Sequence, residues 1–334
     1  MSVFIIAEAG VNHNGDVGLA KKLIDVAKEA GVDAVKFQTF KTEKIIGKFA
    51  EKAAYQKENT GKNESQFEMV KKLELSYKEF EELKEYCDGK DIMFLSTPDD
   101  MDSLDFLVKL GVTMIKIGST EITNLNYLRE IARKKLPIIL STGMSTLGEV
   151  EKALYTIYKE GNEDVTLLHC TSDYPTDYSD VNLKAMITLK DALKTPAGYS
   201  DHTLGNEAAI AAVTLGATII EKHFTLDKNM EGPDHKASLN PKELKNLVIA
   251  IRNTEELLGD GIKRPTKSEL DIMKDARRSI VASFDLKKGI ILTEEMVECK
   301  RPGNGIQPGY IHMLIGRKLK RDIKQDELIM WEDI

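Results

Sequence analysis

The chain has 334 residues, 42% of them hydrophobic and 30% charged, with a formal net charge of −7. That is a globular make-up, long enough for one large domain and a small one, and it excludes an electrostatic nucleic-acid binder, since the longest basic clusters are pieces such as Arg133-Lys134-Lys135 that read as solvated helix ends. No apolar stretch reaches transmembrane length, MSVFIIAEAG lacks the basic lead-in of a signal peptide, and three scattered cysteines (Cys87, Cys170, Cys299) fit free thiols in a reducing cytoplasm.

Val3-Phe-Ile-Ile-Ala7 is a continuous apolar run, as expected of a strand buried on both faces, and Glu8 follows it directly. Gly10 to Gly15 turns the chain. Residues 17–30 carry apolar positions at helical spacing and stop at Gly31, a helix end. Ala34 to Gln38 is a second strand. Residues 39–76 are a polar, lysine-rich insertion that reads as a long functional or mobile loop. From there strands and helices alternate. Strands are expected at 92–96, 114–117, 137–140 and 165–168, and helices at 77–88, 102–110, 127–135, 147–160 and 183–193. Gly198 and Ala217 open a seventh and an eighth strand around an Ala-rich helix at 206–215, and a last helix spans 241–258.

Eight strand–helix pairs in about 260 residues match a (β/α)₈ barrel in size and order. A doubly wound open sheet is the weaker alternative, because a first-turn GxGxxG is absent and the alternation never breaks. Beyond Gly261 the pattern changes. The expected organisation is a catalytic barrel at 1–260, a polar linker with a short helix at 261–277, and a small, mostly β domain at 278–334.

In a barrel, strand carboxyl ends converge on one face. Here those ends present Glu8, Lys36, Gln38, Thr97, Lys116, Ser119, Glu121, Ser141, Thr142, His169, His202 and His223. Buried lysines are costly unless paired, so Lys36 and Lys116, with the hydroxyls of Thr97, Ser119, Ser141 and Thr142, read as a pocket for phosphate or carboxylate. The alternative is that Glu8 and Glu121 pair them structurally. His202 and His223 stand at the ends of neighbouring strands and can share a divalent metal; alone, each could simply bond backbone. Glu8 can balance the lysines, ligate a metal or act as a general base. Asp234 lies in the loop after the last strand, where Gly-Pro-Asp is also ordinary turn chemistry. Cys170 ends an apolar run and is expected in the core.

The segments AEAGVNHNG, VKFQTFK, FLSTP, IKIGSTEITNL, ILSTGM, LLHCTSDYPT, GYSDHTLG, IIEKHFTLDK, GPDHKASL and KRPGNGI, in this order along the chain, resemble the sialic acid synthase family. The resemblance implies a barrel joined to a small antifreeze-like domain and condensation of phosphoenolpyruvate with an N-acetylmannosamine-type aldose and water. It also implies a divalent metal, manganese before magnesium or cobalt, and a domain-swapped homodimer whose small domain caps the partner's site. By motif, His202 and His223 resemble the metal ligands. Lys36, Lys116, Thr97, Ser119 and Ser141 resemble the phosphoenolpyruvate site, and Glu8 the carboxylate beside the reacting carbons. Gln38, Tyr174 and Asp234 resemble sugar contacts, Glu121 is counted with the substrate-binding groups, and Arg301 resembles the residue that the swapped domain lends to the N-acyl group. Two positions depart from the family pattern: Asp99 stands where an aromatic is common, and Gly118-Ser119-Thr120-Glu121 replaces GSGE or PSGE. The resemblance makes N-acetylneuraminate the first expected product, while these two departures bear on the choice of sugar. Legionaminic acid, from 2,4-diacetamido-2,4,6-trideoxymannose, is the alternative. A pseudaminic acid synthase is disfavoured by GPDH and EAGVNHNG. A sugar- or ice-binding protein without catalysis is disfavoured by the strand-end lysines and histidines.

Overall fold

A computed structural model describes residues 2–52, 54–60 and 64–334. The chain forms two compact units, Met1–Gly259 and Asp260–Ile334.

The first unit is built on eight parallel strands: β1 (Phe4–Gly10), β2 (Ala34–Thr39), β3 (Met93–Pro98), β4 (Ile115–Ile117), β5 (Ile138–Ser141), β6 (Val165–His169), β7 (Ala197–Asp201) and β8 (Ile219–His223). They are hydrogen-bonded in the order β3-β2-β1-β8-β7-β6-β5-β4, and β3 and β4 lie side by side, so the sheet curls into a cylinder. A helix follows every strand; in order these are Val17–Ala30, Tyr77–Gly89, Met101–Leu110, Leu125–Arg133, Leu147–Lys159, Lys184–Leu193, Glu207–Thr214 and Pro241–Leu258. This is the (β/α)₈ barrel that the alternation implies.

The helices begin where the sequence supplies caps. Asp16 accepts from the Leu19 amide, and Ser76/Glu79, Thr146/Glu149 and Asn240/Glu243 form reciprocal capping boxes. The main core lies between the outer faces of the strands and these helices. A second, smaller core fills the inside of the cylinder: Ile6, Ala34, Leu95, Ile139, Leu168 and Ile219, with Phe4, Met93 and Met114 against them. Side chains alternate along a strand, so the residues two positions further on point inward one layer higher. Those residues are Glu8, Lys36, Thr97, Ser141, Cys170 and Glu221, and Lys116 above Met114. The apolar floor of the barrel thus passes directly into a polar layer.

The insertion at 39–76 is more ordered than a loop. Its described residues include short helices at Thr42–Ile45, Ala54–Thr60 and Gln66–Leu73, while 53 and 61–63 lie outside the described residues. The last of these helices is fixed by a Ser65/Glu68 capping box and by Met69 and Leu73, which are four apart and both buried.

In the second unit, β9 (Ser279–Ala282) and β10 (Val297–Lys300) pair antiparallel. They share a small core with Leu286, Leu292, Leu314 and Ile329. A helix at Lys267–Ala276 precedes them.

Candidate active site

Glu8 organises the site. In register, its Cα pairs with Lys36 on one side and with His223 on the other, so three polar side chains stand side by side on neighbouring strands. Lys36 Nζ lies 2.7 Å from Glu8 Oε2 and donates to Thr97 Oγ1 at 3.1 Å. Gln38 Nε2 donates to Glu8 Oε1 at 3.3 Å. Across the barrel, Lys116 Nζ donates to Ser141 Oγ at 2.7 Å and to the Ile117 carbonyl at 3.1 Å.

Glu221 stands between the two ammonium groups, 3.6 Å from each, and accepts from Ser200 Oγ at 2.8 Å. The sequence reading passed over it. The signal was present, because Glu221 is two residues after inward-facing Ile219 and two before His223. The structural alternative for the lysines is therefore met in part, with Glu221 rather than Glu121 as the shared counter-ion. At 3.6 Å it neutralises charge without taking up donors. Among the described residues, each ammonium keeps one N–H uncommitted.

Burial and charge set the protonation states. Burial pushes the Glu8 carboxyl up to about 7, against the pull of Lys36. Burial would raise Glu221 as well, but Lys116 and Lys36 overcome it and hold that carboxyl down at about 2. Lys36 is held above the usual ammonium value by Glu221 and Glu8 in spite of burial, whereas burial lowers Lys116. The cluster therefore carries two cations against one firmly ionised carboxylate, which suits an anionic ligand.

His202 and His223 lie with ring centroids 5.5 Å apart, and the Tyr174 ring sits 4.2 Å from the first and 5.5 Å from the second. His202 Nδ1 is 2.6 Å from the Thr171 carbonyl. A carbonyl only accepts, so that nitrogen carries the proton and Nε2 is left with its lone pair. His223 Nδ1 is buried with no hydrogen-bond partner. Burial holds both imidazoles below their usual pKa and hence neutral, the form that binds a metal. An orphaned ring nitrogen beside a tautomer fixed by a carbonyl fits a metal ligand pair. Among the described residues no cluster of three or more His, Cys, Asp or Glu could hold an ion, so other positions would fall to water or substrate.

These groups line one cleft of about 1120 Å³ that also receives Ser119, Glu121 and Tyr174. Ser119 Oγ accepts from the Gly143 amide at 2.9 Å and lies 3.2 Å from Cys170 Sγ. A Cβ on Gly143 would stand 2.9 Å from that same oxygen, so the β5 turn needs glycine there. Cys170 is buried as expected, but at the edge of the cleft rather than in a purely apolar core. Asp234 lines an adjoining side cavity, and burial raises it to about 6. Asp99 lines both spaces and is raised to about 7 by burial.

Three expectations need correction or restriction. Thr142 does not join the anion pocket: next to inward-facing Ser141 it points the other way, and its hydroxyl bonds the Leu168 carbonyl at 3.0 Å. His169 likewise turns out of the barrel, 2.7 Å from the Val181 carbonyl. Both line a separate cavity. Arg301 belongs to the second unit, where it is exposed.

Comparison with known proteins agrees with this architecture. The NeuB family model matches residues 23–263, and the SAF domain model matches 277–334. The chain belongs to the NeuB family. It is a synthase-type enzyme, as the motifs imply. Two curated relatives are N,N'-diacetyllegionaminic acid synthases. The Campylobacter jejuni protein is 53% identical over 97% of this chain and 98% of its own length. The Legionella pneumophila protein is 51% identical over 100% and 95%. The crystal structure of the N-acetylneuraminic acid synthetase from Leptospira borgpetersenii, in complex with citrate, superposes with a TM-score of 0.72 at 40% identity, covering 82% of this chain and 90% of that one. No helix among the described residues is long and apolar enough to cross a membrane.

Proposed function

We propose that this NeuB-family chain condenses phosphoenolpyruvate with 2,4-diacetamido-2,4,6-trideoxymannose and water, giving N,N'-diacetyllegionaminic acid and phosphate. The observation that carries the choice of sugar is the 53% identity over nearly full length to a synthase of that name. It reverses the order expected from the motifs, which put N-acetylmannosamine first. The same cleft serves either sugar with the same chemistry.

Lys36 and Lys116 are placed to hold the phosphate and carboxylate of phosphoenolpyruvate with their free N–H groups, and Ser141 and Thr97 fix the two ammonium groups. The methylene carbon bonds to the aldehyde carbon of the opened sugar, water adds at the middle carbon, and that tetrahedral carbon expels phosphate. Glu8, with a pKa near neutrality, faces the centre where positive charge develops and can steady it or take the proton of the water. A divalent metal on His202 and His223, manganese by resemblance, would supply Lewis-acid polarisation of the aldehyde oxygen. Gln38, Tyr174 and Asp234 are assigned to the sugar. Arg301 is assigned to the N-acyl group from the partner subunit of a domain-swapped homodimer.

The test is phosphate release from phosphoenolpyruvate with manganese present, comparing the two sugars. Higher kcat/KM with the diacetamido sugar supports the proposal. Preference for N-acetylmannosamine returns the enzyme to neuraminate synthesis, and silence with both removes the proposed reaction.

A further inference from the structure

Beside His223 a side cavity of about 200 Å³ opens off the main cleft, sharing Gln38, Asp99 and Tyr174 with it. Its inner wall is apolar: Phe40, just past the end of β2, with Met69, Val70 and Leu73 of the helix Gln66–Leu73. Val11, Phe40 and Leu73 form a cluster of their own there, with Val70 and Ile45 packed on it. A side pocket of this size, open to the main cleft, has room for one small substituent of a ligand bound there. Asp99 lines both this cavity and the main cleft; Lys36 acts on its carboxyl through charge, with no hydrogen bond or ion pair to its side chain seen among the described residues. An apolar inner wall with carboxyl groups, Asp99 and Asp234, in the rest of the lining suits a group with a methyl at one end and an N–H at the other.

We propose that this cavity is the specificity subsite for the 4-acetamido group of the sugar, with the acetyl methyl against Val70 and Leu73 and the amide N–H donating to Asp99. The inference rests on the function proposed above and extends it to the part of the substrate that distinguishes the two candidate sugars. N-acetylmannosamine carries only a hydroxyl at that carbon and would leave the chamber unfilled. A C6 methyl alone is too small to fill about 200 Å³.

The experiment measures kcat/KM for both sugars by phosphate release in the full-length enzyme, in wild type, Val70→Phe and Asp99→Ala, with a thermal melt of each variant. Val70→Phe fills the chamber, and Asp99→Ala removes the acceptor. The expected result is that the diacetamido sugar loses at least tenfold more kcat/KM than N-acetylmannosamine in each variant, in line with the worth of one well-filled pocket. Equal losses for both sugars in a folded variant would overturn the subsite, since the chamber would then hold a group that both carry. Where Val70→Phe fails to fold, Asp99→Ala decides alone. Wild-type enzyme that ignores the diacetamido sugar would overturn the function reading itself, an outcome visible before any variant is made.

Discussion

Glu8 is a carboxyl with almost no exposure, held in register between an ammonium and an imidazole, and its pKa of about 7 leaves it divided between acid and base at neutral pH. Glu8→Gln keeps the shape and the bond from Gln38 but cannot ionise. Its kcat should fall by about 10²–10³-fold, with the KM for phosphoenolpyruvate moving by only a few fold, because in the proposed function it is the two lysines that hold that substrate. Steady-state kinetics check this, and unchanged turnover would take Glu8 out of the chemistry. Asp99 gives a stability prediction. Its carboxyl is raised from 3.8 to about 7 by burial, with Glu121 and Asp100 adding to the rise and Lys36 opposing it. A raised carboxyl favours the fold while it is protonated, so its contribution is intact below the unfolded pKa and is lost as pH rises through about 7. Asp99→Asn should therefore raise the melting temperature relative to wild type at pH 8 but not at pH 4. Melts of metal-free protein with the same pH slope for both forms would show that Asp99 titrates normally.

At the scale of elements, β7 and β8 present the two histidines and are tied together from the opposite face. Asp201 and Lys222 are register partners with a buried ion pair of 2.6 Å. Lys222 also donates to the Thr203 carbonyl at 2.8 Å, and Asp201 accepts from both the amide and the hydroxyl of Thr203. This knot holds the turn in which His202 sits. Lys222→Met leaves a buried carboxylate unpaired and should cost about 3–5 kcal/mol in urea unfolding, whereas Asp201→Asn with Lys222→Met should recover most of that loss. A double variant as unstable as the sum of the singles would contradict the pairing argument. The same strands show how legible the elements were. Apolar runs ending in polar residues marked all eight barrel strands, and the positions expected for the eight barrel helices lie within a residue or two of the observed ones. The short helices inside 39–76 escaped, since they are brief and Lys-rich, and among their described residues few apolar side chains (Ile45, Met69, Val70 and Leu73) turn inward.

At the scale of the molecule, the second unit has its own small core and carries Arg301. If each site takes Arg301 from the partner subunit, Glu8→Gln and Arg301→Ala proteins, each nearly inactive alone, should recover activity when mixed and allowed to exchange. A heterodimer then has one site with both residues intact, so random pairing restores about a quarter of wild-type turnover. No recovery, with exchange verified by a tagged subunit, would place Arg301 in its own chain's site or outside any site.

The linear sequence determined the order and kind of the elements, because buried strands need unbroken apolar runs and helices need a 3.6-residue stripe with caps at its ends. It also determined most of the polar residues that line the cleft, since a barrel collects whatever stands at strand carboxyl ends. Tertiary structure alone decided which of those residues face each other. Inward and outward positions alternate at a period of 2, and the stagger of the strands sets which share a level. That rule brought Glu221 between the two lysines, turned Thr142 and His169 away from them, and joined the insertion to β2 around an apolar chamber that no local pattern announced.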